Sequence, residues 1–155
     1  MTKTKNKYSY PIAQKDIVRI TYDESPAHVN HLKYSVDFIV PEGTPILAAA
    51  DGKVIDVRSR WDIGGEDRAF DPYGNFVEIE HPYGEYSEYE HLRKDGVVVK
   101  IGDKVKRGQV VGYSGKTGWI AHLGPHLHFM VYHYRNGMEY QTKEIVWLGQ
   151  SKLGM

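Results

Sequence analysis

The chain contains no cysteine, which excludes disulfides, thiolate metal sites and cysteine nucleophiles. It also lacks a charge excess, since 20 Lys and Arg balance 20 Asp and Glu. No lysine- or arginine-rich block exceeds the short start Met1–Lys7, so the basic face of a dedicated nucleic-acid binder is not expected. No apolar run is long enough to cross a bilayer, so no membrane insertion is expected either. The basic start is followed by Tyr8-Ser9-Tyr10-Pro11 instead of an apolar stretch, and no secretory signal is read from it. By sequence alone the chain is thus cytoplasmic, a fragment of an exported protein, or exported by another route. Extended helical spacing is missing as well.

What remains is a chain of 155 residues, a length that suits one domain, 1–155, with a real core; residues 1–8 are expected as a flexible lead-in. The pattern is mainly β. Runs rich in Val, Ile, Tyr and Phe recur between Gly, Pro, Asn and Asp clusters, and the fold class expected is an antiparallel β-sheet or sandwich with a groove. Strands are predicted over 18–22, 34–40, 46–49, 52–58, 76–81, 86–92, 110–113 and 126–133, with a hairpin turn at Arg135-Asn136-Gly137. Residues 143–148 fit a strand or a short helix. Two stretches, Gly43–Val54 and Gly102–Gly112, read as two versions of one β-turn-β unit. Trp61–Gly74 lacks periodicity and reads as a long surface loop.

Without thiols, a tightly bound transition metal must use carboxylates and some of the eight histidines. In His126-Leu127-His128 the two imidazoles share one face of an extended strand, while Leu127 and Phe129 face the core. Structural, hydrogen-bonded histidines are the bland alternative. Asp37 lies inside the apolar strand Tyr34–Val40, where an unpaired carboxylate would cost several kcal/mol, so it needs a cation or good donors. His28 or His31, upstream, could complete a His₂Asp set with Asp37 and His128. Three protein ligands with an open fourth position is the arrangement of a catalytic zinc site. His91, in Tyr86–Leu92, shares its strand face with Ser87 and Tyr89 and could assist if that face lines the groove.

These blocks resemble, in order and character, the lysostaphin-type (LytM-like) zinc metallopeptidases. The matching residues run from His28 through Tyr34-Ser35-Val36-Asp37-Phe38 and Pro41-Glu42-Gly43-Thr44-Pro45-Ile46, then to Tyr89-Glu90-His91-Leu92. They close with Gly124-Pro125-His126-Leu127-His128-Phe129. The resemblance spans roughly residues 28–131. It implies an antiparallel β protein with a groove, a duplicated hybrid-motif peptidase core, and cleavage of peptidoglycan cross-links or a related peptide. It further implies one Zn²⁺ per chain on His28, Asp37 and His128, with His91 and His126 assisting catalysis. Where the family's common first motif has histidine, this chain has Lys33; a longer-loop branch of the family favours His28 over His31. Trp119–Leu123 makes a longer insert than usual, so that His122 could touch substrate or simply be exposed; Tyr89 and Trp119 enter separately, as aromatics that could line a groove or serve packing. By resemblance the location is the cell envelope or outside the cell. The rival reading is a catalytically silent binding or regulatory module on the same fold. Oligomeric state is not legible.

Overall fold

The computed structural model describes residues 3–22, 32–135 and 139–149. His28, His31 and the turn residues Asn136 and Gly137 lie outside them. The backbone is mostly β, and its centre is an eight-stranded antiparallel sheet.

That sheet is assembled from β2 (Arg19–Thr21), β3 (Val36–Ile39), β5 (Gly52–Arg58), β7 (Asn75–His81), β8 (Glu85–Leu92), β9 (Lys104–Val105), β12 (His126–Arg135) and β13 (Glu139–Thr142). Its order is β2-β3-β12-β8-β7-β5-β9, and β13 also pairs with β12. The long β12 serves two neighbours on one edge: residues 126–129 pair with β3 and residues 132–135 with β13. Its other edge pairs with β8. The period-2 pattern read from the sequence holds here. Leu127, Phe129 and Val131 are fully buried in the apolar core with Phe38, Tyr89, Val77 and Ile79, while His126 and His128 point to the opposite face.

The two β-turn-β units interlock. β4 (Pro45–Leu47) pairs antiparallel with β10 (Val110–Tyr113), and β5 pairs antiparallel with β9. Ala48 N–H donates to the Gln109 carbonyl at 2.9 Å, and Gly108 N–H to the Ala48 carbonyl at 2.8 Å. Each unit thus satisfies backbone groups of the other. Gly43 and Gly102 take the same place in the two turns, with φ of 88° and 98°, a region that costs a side chain-bearing residue about 1–2 kcal/mol.

Two readings change, and one that was open is decided. Residues 61–74, read as a long surface loop, contain short elements: β6 (Gly64–Gly65) pairs in parallel with β11 (Gly118–Trp119), and a 3₁₀ turn spans Arg68–Tyr73. The last element is a strand, β14 (Glu144–Trp147). The start, expected to be flexible, forms β1 (Lys3–Tyr8), which pairs in parallel with β14.

The cause of that ordering is Glu85. Its buried carboxylate accepts from the backbone N–H of Lys5 at 2.6 Å and of Asn6 at 3.1 Å, from Tyr8 OH at 3.0 Å and from Lys143 Nζ at 3.0 Å. Burial alone would raise its pKa, but these donors outweigh it and hold the carboxyl below the usual range. A folded-state pKa below the unfolded value gives stability that is present above the unfolded value and lost as pH falls through the folded one. Glu85→Gln, which strands the Lys143 ammonium, is expected to cost about 3 kcal/mol at pH 7. In urea melts the gap to the parent chain should narrow as pH drops below about 4; a gap independent of pH would refute the assignment.

Candidate active site

Asp37 is fully buried on β3 and sits directly opposite His128 of β12. Its Oδ1 lies 3.2 Å from His128 Nδ1 and 3.6 Å from His126 Nε2. Two imidazoles from one strand face therefore meet on one carboxylate oxygen, as the alternation of β12 requires. The structure brings all three residues together. Burial alone would lower the pKa of His128, but its hydrogen bond to Asp37 and the carboxylate's charge raise it.

His91 arrives by a different route from the one its spacing suggested. Ser87 and Tyr89 face the core, fully buried, so a regular strand would bury His91 with them. Between β7 and β8, however, Phe76 pairs with Glu90 and Asn75 with Leu92. His91 is the extra residue of a β-bulge, and its φ is 76°. Bulges re-aim side chains in this way. The ring comes to 4.5 Å from that of His126 and 5.9 Å from that of His128, centroid to centroid. It lines a cavity of about 290 Å³ with His128, Glu88, Glu90, Asp71 and Trp119.

Carbonyl groups set the tautomers. His91 Nδ1 lies 2.7 Å from the Thr117 carbonyl, and His126 Nδ1 lies 2.8 Å from the Gly124 carbonyl. A carbonyl can only accept, so each Nδ1 carries the proton and each Nε2 is the basic nitrogen. Burial, with His128 beside it, pushes His91 down to about 4. Burial and the neighbouring His91 push His126 down to about 3. Both rings are accordingly neutral near pH 7, each with an unprotonated Nε2.

The supports of His91 escaped the sequence reading. Thr117 Oγ1 donates to the Leu92 carbonyl at 2.7 Å and accepts from Asn75 N–H at 3.1 Å, pinning both sides of the bulge. Glu88 and Glu90, on the groove face of β8, were likewise not singled out. Burial, reinforced by neighbouring carboxylates, raises the pKa of Glu88. Of the expected groove residues, Trp119 lines the cavity and its Nε1 donates to the Glu66 carbonyl at 3.1 Å. Tyr89 does not: it is fully buried and its hydroxyl accepts from Ala49 N–H at 2.9 Å, a packing role. His122 is exposed and not part of the cavity lining.

The donor set fits a metal in part. Ligands at about 2.0–2.1 Å from a tetrahedral zinc stand about 3.3 Å from one another; Asp37 Oδ1 and His128 Nδ1 have that spacing. Among the described residues no group of three or more His, Cys, Asp or Glu is arranged to hold a metal, and both candidates for the further ligand, His28 and His31, lie in the segment outside them.

An antiparallel sheet presenting three clustered imidazoles beside one buried carboxylate is the class of site that the fold builds. The family follows: the chain belongs to peptidase family M23, whose model matches residues 31–141. Membership implies a metal ion, generally zinc. The chain is 35% identical over 125 residues to the peptidoglycan DD-endopeptidase ShyA of Vibrio cholerae, covering 77% of this chain and 26% of ShyA. A solved zinc-containing peptidase from Vibrio cholerae superposes with a TM-score of 0.60 at 30% identity, over 90% of this chain and 38% of that one. The catalytic domain of the antimicrobial peptidase lysostaphin from Staphylococcus simulans gives a TM-score of 0.54 at 28% identity, over 80% and 87% of the two chains. The chain spans between 17% and 26% of the length of these and other curated relatives that it matches.

Gly118 tests the positioning of His91. Its φ is 83°, and a Cβ there would lie 2.7 Å from Gly74 Cα and 3.4 Å from His91 Nδ1. Gly118→Ala is expected to cost about 1–2 kcal/mol, or a few degrees in Tm. It should also break the Nδ1–H tautomer of His91, read from imidazole ¹⁵N shifts. An unchanged His91 spectrum would show that Gly118 does not hold this ring in place.

Proposed function

We propose that the chain is a zinc-dependent endopeptidase of peptide bonds in peptidoglycan cross-links or a closely related peptide. The observation that carries the reading is the convergence of His126 and His128 on Asp37, with His91 turned beside them by the bulge. The names of the relatives ShyA and lysostaphin support the substrate class. Residues 1–155 act in this reading as a single peptidase unit at the cell envelope or outside the cell; among the described residues no helix is long and apolar enough to cross a membrane.

One zinc ion per chain would be held by His28, Asp37 and His128, with His31 the fallback for His28. When bound, the ion supplies a Lewis acid and makes water acidic near neutral pH. The chain's own residues do the rest. Neutral His91 and His126, each with a basic Nε2, can take the proton of an attacking water and return it to the leaving amine. Once protonated, the same rings can donate to the developing oxyanion. The sequence has no His-Glu-x-x-His helix, so the carboxylate base that such a helix supplies is absent, and histidine takes that role. The half-buried floor of Glu88 and Glu90 and the wall of Trp119 would line the bound peptide.

His128→Ala is expected to abolish zinc retention after dialysis, measured by metal analysis, along with digestion of purified peptidoglycan. His91→Ala and His126→Ala should keep the metal and lose about 10²–10⁴-fold in turnover. Near-full turnover in both would remove the proposed bases. A zinc-loaded parent chain that digests neither peptidoglycan nor its isolated cross-link peptides would favour the silent binding module.

A further inference from the structure

A second charged surface lies at the other end of the β7–β8 hairpin. Lys5 and Lys7 of β1, Lys53 of β5, Lys104 of β9, and Lys106 and Arg107 just after it are all exposed. They line two adjoining depressions that share Asp51, His81 and Pro82. These six cations come from three separate stretches of chain and face two carboxylates, Asp51 and Glu80, in the same lining. Asp51 is engaged already, accepting from Arg107 N–H at 2.8 Å with Lys106 Nζ at 4.0 Å. A chain with zero formal charge thus concentrates positive charge on one face, and the balance of its totals conceals this.

The face is also built. Arg107 donates from its guanidinium to the Ala49 carbonyl at 2.7 Å and to the Lys7 carbonyl at 3.1 Å, which ties β1 to the turn after β9 and fixes the two depressions side by side. The guanidinium is spent on backbone, so the groups left to meet a ligand are lysine ammoniums on flexible stems. Such point charges suit many spaced phosphates better than one phosphate gripped by a planar fork. Neither depression is lined by Phe, Tyr or Trp; beside them one exposed ring, Tyr83, has Lys5 Nζ 5.7 Å from its centroid, and one such ring is not the series of platforms on which successive bases of a single strand stack. The apolar face that an interfacial membrane binder buries is missing from this lining too.

We propose that this face binds a linear, non-nucleotide phosphodiester polymer, a polyol or sugar phosphate chain, and so retains the protein on a surface carrying such a polymer. Six residue steps along β8 lead from Glu85 to His91, about 20 Å of strand. A polymer held at the basic end therefore leaves the groove open, and raises the local concentration of whatever lies on the same surface.

The test uses the full chain, with a glycerol-phosphate oligomer, a single-stranded oligonucleotide of matched charge, and phosphatidylglycerol vesicles as probes. Lys53→Gln/Lys106→Gln is compared with Lys15→Gln/Lys94→Gln, which removes the same charge elsewhere. The glycerol-phosphate oligomer should bind with an affinity that falls steeply with salt. The first variant should bind it about tenfold or more weakly, and the second within about twofold of the parent chain. Hydrolysis of a short soluble peptide should be the same in all three proteins, so that loss of attachment is separable from loss of catalysis. Equal weakening in both variants, tighter binding of the oligonucleotide, or binding of vesicles alone would each overturn the proposal.

Discussion

The structure turns on one carboxylate in an apolar strand. Asp37 is fully buried between β2 and β12, and an isolated ionised carboxylate in such a place costs several kcal/mol after relaxation. The sheet order offsets the cost by setting β12 beside β3 in a register that puts His128 directly across from Asp37. Because strand side chains alternate, His126 must then approach the same oxygen, and Leu127 and Phe129 must enter the core. Fold and site are in this sense one solution: the pairing that buries Phe129 against Phe38, with ring centroids 6.4 Å apart, is the pairing that delivers the imidazoles.

The third histidine needs a departure from regularity. A perfect β8 would send His91 into the core with Tyr89, and the bulge prevents this at the cost of a left-handed backbone conformation at a non-glycine residue, about 1–2 kcal/mol. Thr117 and Asn75 make the bulge the lower-energy choice by satisfying the backbone groups around it. Strain at a functional position is maintained when neighbours over-determine it, and here the neighbours are hydrogen bonds of 2.7–3.1 Å to fixed strand ends.

This contrast explains how much could be read in advance. His126, His128 and Asp37 were legible because their signal is local: a period of two, and a charge where an apolar residue belongs. His91 was legible as a residue but not as a geometry, because a bulge is a property of register between two strands. Tyr89 misled for the same reason, since its side chain follows the unbulged alternation into the core. β1 was missed because Lys3–Tyr8 is highly charged; its order comes from Glu85, some 80 residues away in sequence. The 61–74 stretch lacked periodicity because its 3₁₀ turn and two-residue strand have too few residues to show one.

Charge distribution follows the same logic of distance in sequence against proximity in space. Along β8 the groove face carries Glu88 and Glu90 toward His91, whereas the Glu85 end abuts the lysines of β1, β5 and β9. A single strand thus runs from a basic end to an acidic one in a chain whose totals cancel. The lysines were invisible as a group because no two of their three segments are neighbours in sequence, and β1 joins them through the donors it gives Glu85 and through the Arg107 guanidinium on the Lys7 carbonyl. The buried carboxylate at the foot of β8 therefore acts at both ends of the molecule. It orders the N-terminal strand that carries Lys5 and Lys7, and it anchors the start of the strand whose other end bulges to present His91.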